Sequence, residues 1–215
     1  MNLKDDAAIN TDVYGVFNIK SFDKDNNVID EYTDSNLIVY TARAVMAGNI
    51  GDYLTPVAIT PINGFVLGTR GHRAENILDT VLVGETQPGL GVFNPERSSL
   101  FSEESNEYNY KITFNPQGDK VVTRANLPGT LRQGTTTVTT DSSTNTVVRE
   151  MTGIRNNEIR YTITIETPNA NVPGQATPYT EAALYAGENL FAMKTFPARV
   201  KENTVKFIIT WSIIF

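Results

Sequence analysis

The segment Glu158-Ile-Arg-Tyr-Thr-Ile-Thr-Ile-Glu166 alternates apolar and polar residues without a break. A period of two places Ile159, Tyr161, Ile163 and Ile165 on one face of a strand, with Glu158, Arg160, Thr162, Thr164 and Glu166 on the other. Thr204-Val-Lys-Phe-Ile-Ile-Thr-Trp-Ser-Ile-Ile-Phe215 repeats the pattern, with Val205, Phe207, Ile209, Trp211 and Ile213 on one face. Its second half is almost wholly apolar, as expected of a central strand covered on both sides towards its end. A chain built on such segments must bury one face of a sheet against another layer.

Weaker copies of the signal run along the rest of the chain. Val13 to Lys20 reads as a strand with an irregularity at Gly15, and the turn formers Asp23-Lys-Asp-Asn-Asn27 lead into Val28 to Tyr32 as the second arm of a hairpin. Tyr40 to Ala47 is rich in good helix formers and is closed by Gly48, which predicts one short helix near residues 40–47. The apolar run within Ile59 to Thr69 suits a buried strand, and Tyr108 to Phe114 and Lys120 to Ala125 suit two more. Between Arg70 and Asn109 no period is sustained, and long surface loops are expected there. The threonine-rich tract from Gly134 to Val148, with turn formers at Asp141 to Asn145, reads as a protruding polar hairpin.

These readings predict an all-β fold, an antiparallel β-sandwich of jelly-roll type, in a single domain over residues 1–215. With 215 residues and 40% hydrophobic content the chain is long enough to bury a core. The net charge of −6 offers no basic footprint for a phosphate backbone, so nucleic acid is not an expected partner. There is no cysteine, which removes disulfides and thiolate chemistry. No stretch reaches the apolar length a bilayer demands, and the segment after Lys4 lacks the apolar region of a secretory signal. Membrane is therefore not an expected partner, and synthesis in the cytoplasm is expected.

Candidate chemistry is sparse. The chain has one histidine, His72, too few for a histidine metal cluster and without evident partners for a triad. Gly68-Thr-Arg-Gly71 lacks the lysine and Ser/Thr of a P-loop and reads as a tight turn. Asp23, Asp25, Asn27 and Asp34 share the spacing of EF-hand ligands, but Val28 stands where that loop requires glycine, so a hairpin turn is the simpler reading. Glu103, Glu104 and Glu107, beside Tyr108 and Tyr110, are the candidates for a glycosidase pair or a sugar-stacking surface. Charge clusters of this kind are usually solvated. No catalytic residue, cofactor-binding residue or metal ligand is assigned, and no enzyme is expected.

A resemblance adds to this reading. Thr180-Glu-Ala-Ala-Leu-Tyr185, Asn189-Leu-Phe-Ala-Met-Lys-Thr-Phe-Pro197, Val200-Lys201 and Ile209-Thr-Trp-Ser-Ile-Ile-Phe215 together resemble a pattern of tailed-bacteriophage virion structural proteins. Those proteins carry a Thr-Glu-Ala-Gly-Leu-like run, a Leu-Phe-Ala-Arg-x-Thr-Phe-like strand, a lysine, and a terminal Thr-Trp-Thr-Ile-Thr-Phe-like strand. Ala183 and Met193-Lys194 depart mildly from the pattern. Asp34-Ser-Asn-Leu-Ile38 and Leu67-Gly-Thr69 look like further landmarks of the same family, and together the landmarks touch about a third of the chain. The resemblance implies a homo-oligomeric virion component of the neck, collar, tail or baseplate, with connector, tail or capsid subunits as partners. It brings no active-site residues. A capsid decoration protein is the alternative within this class; a carbohydrate-binding fibre or adhesin domain is the alternative outside it. The motif itself reads as a hairpin around Ala186-Gly-Glu-Asn189, returning as far as Phe196-Pro197 and laid against the terminal strand, whose Phe215 end is expected to dock in the sheet or at a subunit interface.

Overall fold

The computed structural model describes residues 13–40, 42, 43, 46, 61–71, 98–104, 109–114, 133–140, 143–152, 157–171 and 175–215. Among the described residues ten strands follow one another: β1 Tyr14–Phe22, β2 Val28–Ile38, β3 Ile62–Gly68, β4 Asn109–Thr113, β5 Gln133–Thr140, β6 Ser143–Thr152, β7 Glu158–Ile165, β8 Thr177–Ala186, β9 Asn189–Lys201 and β10 Lys206–Ile214. A single helical turn, Phe101–Glu104, precedes β4. Tyr40, Ala42, Arg43 and Met46 are also helical, within the stretch where the sequence predicts a helix. The strand Lys120 to Ala125 expected from the sequence lies outside the described residues, as do most of residues 70–109.

Hydrogen bonding runs through the order β4-β3-β8-β9-β2-β1-β10-β7-β6-β5, antiparallel throughout. The continuity hides two layers. β2 pairs with β1 from Val28 to Asn36 and passes to the other sheet at its end, where Leu37 and Ile38 pair with Met193 and Ala192 of β9. The two sheets then face each other. Phe17 of β1 stacks on Phe196 of β9 with ring centroids 5.2 Å apart, and Tyr179 of β8 meets Phe207 of β10 edge-on at 6.3 Å. The chain is thus an all-β antiparallel sandwich, as the alternation predicts. Consecutive strands mostly pair as hairpins within one sheet, and this order does not confirm jelly-roll winding.

Local pattern explains the placement of each layer. In β7 and β10 the inward residues Tyr161, Ile163, Ile165, Phe207, Ile209, Trp211 and Ile213 are all buried. Burying one such side chain fully contributes about 1.5–3 kcal/mol. β10 lies between β1 and β7, the central position its apolar end predicts. β1 alternates regularly from Gly15 to Ser21, and its register shift falls at Ser21/Phe22 instead of Gly15. Gly15 is required for a different reason, since a Cβ there would stand 1.9 Å from Asn36 Oδ1 on the paired strand.

β8 and β9 form the expected hairpin, with Ala186 paired to Asn189 and Gly187 at φ 65°, the positive φ that a two-residue turn favours. β9 does not stop at Pro197. It bulges there, where the register shifts between Tyr179 and Glu181, and then pairs on to Lys201. A bulge accommodates proline because the missing N–H needs no ladder partner. β5 and β6 form the threonine-rich hairpin, and β6 also pairs with β7 from Thr146 to Thr152.

Candidate functional site

The sequence landmarks converge in space on two polar nodes. At the first, Gly68 of β3 pairs with Glu181 of β8. Glu181 is fully buried, and its carboxylate accepts from the Phe101 N–H at 3.0 Å and the Ser102 N–H at 2.8 Å. It also accepts from the Ser102 hydroxyl. Ser102 Oγ in turn accepts from the N–H groups of Thr69 at 2.8 Å and Arg70 at 3.0 Å, while Thr180 Oγ1 accepts from the Gly71 N–H at 2.6 Å. A buried charge is tolerable only when its lone pairs are filled in this way. Burial pushes the Glu181 carboxyl upwards, against hydrogen bonds from Ser102, Phe101 and Arg70 that pull it down.

This node leaves no room for side chains on its glycines. A Cβ on Gly68 would lie 2.5 Å from Ser102 Oγ and 2.6 Å from Glu181 Oε1, and one on Gly71 would lie 2.2 Å from the Thr180 carbonyl oxygen. Beyond Gly68, the last residue of β3, the N–H groups of Thr69, Arg70 and Gly71 point at Ser102 and Thr180, which leaves none of those three groups to cradle a phosphate.

At the second node the inner face of β2 meets β9 across the open side of the sandwich. Asp34 pairs with Lys194 at 2.7 Å and Asp30 with Arg199 at 2.9 Å. Tyr32 lies between them: the Arg199 guanidinium is 5.5 Å and the Lys194 ammonium 5.9 Å from its ring centroid, and its hydroxyl donates to Asp34 at 3.0 Å. Among the described residues the edge of β2 facing away from β1 pairs only at Leu37 and Ile38. Charges that point inward along such an edge deter another chain from adding a strand.

The remaining candidates from the sequence are dispersed. Asp23 closes its own turn, accepting from the N–H groups of Asp25 and Asn27, each at 2.8 Å, and from Asn27 Nδ2 at 2.9 Å. Asp34 is committed to Lys194, so the two ends of the EF-like spacing serve different partners. Glu103 accepts from the Leu100 N–H at 3.0 Å and from the Tyr185 hydroxyl, and Glu104 accepts from Ser99 Oγ at 2.9 Å. Both glutamates thus hold the helical turn. Burial, followed by the Glu103 contact, holds the Tyr185 hydroxyl well above its ordinary value. Tyr110 accepts from Asn145 Nδ2 at 2.7 Å, while His72, Glu107 and Tyr108 lie outside the described residues. Among the described residues no group of three or more His, Asp or Glu side chains is placed to hold a metal ion, and no helix is long and apolar enough to cross a membrane.

Sequence reasoning missed the buried charges Glu181, Lys194 and Lys201. For Glu181 and Lys194 the available signal was their position inside stretches of β8 and β9 buried on both faces, where a charge must find a partner; Lys201 follows an exposed stretch and carries no such signal. Comparison with protein-family models, with curated proteins and with solved structures finds no match to this chain.

Proposed function

We propose that this chain is a non-enzymatic structural component of a tailed-phage virion, assembling into a symmetric ring in the neck or collar or in the tail or baseplate. The observation that carries the reading is the meeting of the family-like landmarks. Leu67-Gly-Thr69 joins Thr180-Glu181 at one node, and Asp34 to Ile38 joins the strand Leu190 to Phe196 at the other. Segments separated by more than a hundred residues thus belong to one arrangement, as expected if they are the fold determinants of a family and not chance matches. Ring contacts of this kind are heterologous, with one surface of a subunit meeting a different surface of the next.

Antibody labelling of density-purified particles in electron micrographs tests the reading. Label at the neck or along the tail supports it. Label over the whole capsid shell replaces the ring with a decoration role, and particles free of label contradict a virion role.

A further inference from the structure

The loop after β7 is held more tightly than a surface connection requires. Asn169 N–H donates to the Glu166 carbonyl at 3.0 Å, and Ala170 takes φ 57°, a left-handed conformation costly for a residue with a Cβ. The Tyr179 hydroxyl donates to the Ala170 carbonyl at 2.8 Å, and Asn169 Nδ2 donates to Asn145 Oδ1 at 2.6 Å. These contacts fix Asn171, whose Nδ2 donates to the Thr167 carbonyl at 2.7 Å and to Asn203 Oδ1 at 2.9 Å. The Oδ1 of the same carboxamide is buried with no hydrogen-bond partner. Buried carbonyl oxygens without a donor are rare and call for a reason.

Lys201 reaches the same place from the opposite sheet. Its side chain is fully buried, and its Nζ donates to the Thr167 carbonyl at 2.9 Å and the Glu202 carbonyl at 3.3 Å. Amine and carboxamide therefore share the Thr167 oxygen as an acceptor and are neighbours. An ammonium has three N–H donors and two are used here, so loss of the third proton frees a lone pair without breaking either bond. Burial pushes this group down to about 8, against the opposing charge of Glu166. A desolvated lysine is a competent nucleophile, and a fixed neighbour supplies the effective concentration that an amide electrophile needs.

We propose that Lys201 and Asn171 become joined by an intramolecular amide bond that ties the loop after β7 to the end of β9. The Lys201 Nζ lone pair attacks Asn171 Cγ, and the Nζ–Cγ bond forms. One amine proton passes from Nζ to Nδ2. The Cγ–Nδ2 bond then breaks and ammonia leaves. No electron is gained or lost and no co-reactant is needed. The cross-link bridges the two sheets at the end of the sandwich where the loop is already strained, and it closes a covalent loop much as a disulfide does in chains that carry cysteine. It stands independently of the virion reading.

Intact-mass measurement of the purified full chain decides the matter. The expected mass is lower than that of the sequence by one ammonia, with proteolysis releasing a branched peptide that joins Asn171 to Lys201. Lys201→Arg and Asn171→Ala each restore the mass of their own sequence. A wild-type chain at full sequence mass overturns the proposal. So does an ammonia loss that mild base converts to the mass of an aspartate, which marks a succinimide, or one that maps away from Lys201.

Discussion

Lys194 and Asp34 meet at 2.7 Å across the gap between the sheets, the lysine side chain 3% exposed and the aspartate 43%. The pair is asymmetric, because removing the outer partner takes the ion-pair carboxylate from the buried one. Asp34→Ala is expected to cost about 1–3 kcal/mol in urea unfolding, below the range for a fully buried pair because water reaches the carboxylate and the Tyr32 ring still faces the ammonium. The pH dependence has a definite sign. Burial works to raise the Asp34 carboxyl, but Lys194, the Ser35 N–H and the Tyr32 hydroxyl together hold it below its ordinary value. Its contribution is therefore complete above the unfolded value near 3.8 and is lost as pH falls through the folded one. Acid titration should be shallower in the variant than in the wild type; identical stability and identical slope would contradict the assignment.

Gly15 and Asn36 occupy one space on paired strands. Gly15→Ala is expected to destabilise by about 1–3 kcal/mol, because its methyl must displace the Asn36 carboxamide. The coupling can be isolated in a double-mutant cycle. In an Asn36→Ala background the added methyl should cost much less, and a cost unchanged by that background would show that the strain lies elsewhere.

Glu181 accepts at both of its oxygens, so an amide cannot replace it. Glu181→Gln places an N–H donor against the N–H of either Phe101 or Ser102, and about 1–3 kcal/mol should be lost at neutral pH. Proteolysis near the Phe101–Glu104 turn should quicken at the same time, since that turn is fastened to β8 by these bonds. A variant as stable as wild type with unchanged cleavage would mean that the node is dispensable.

The last residues of β10 carry more than their own burial. Ile213 is buried and pairs with Gly15 on one side and Ile159 on the other, while the Phe215 N–H donates to the Asn157 carbonyl at 2.8 Å. Deleting Ile213 to Phe215 removes the end of the ladder from two neighbouring strands, and loss of soluble protein is expected. Phe215→Ala is different, since that side chain is half exposed; stability should stay within about 0.5 kcal/mol of wild type. If that variant folds but fails to enter particles, the exposed ring belongs to a subunit contact. Wild-type solubility of the truncated chain would contradict this role for the end of β10.

Much of the architecture was legible because of its asymmetry. β7 and β10 expose one face more than the other, and a period of two survives in the sequence wherever that holds. β8, and β9 as far as Phe196, are buried on both faces, so they show no alternation; their hairpin was readable from the Gly187-Glu188 turn and the family-like motif instead. The bulge at Pro197 was not readable, because it depends on which residues of β8 lie opposite. The turn Phe101–Glu104 was missed for a related reason. Four residues cannot sustain a helix by propensity, and this one is fastened by a carboxylate some eighty positions later in the chain. The Asp34–Lys194 pair is equally non-local: Asp34 follows Asp30 and Glu31 in sequence, and its partner stands 160 positions later. Local pattern specifies faces; it does not specify which distant charge completes a node.

A structural role in a virion ring can be read from the copy number of the chain, measured by quantitative mass spectrometry of density-purified phage particles with the major capsid protein as the internal standard. A closed ring predicts about six to a dozen copies per particle. Hundreds of copies would contradict the ring in favour of a shell-decorating role, and absence from the particle would contradict the structural role altogether.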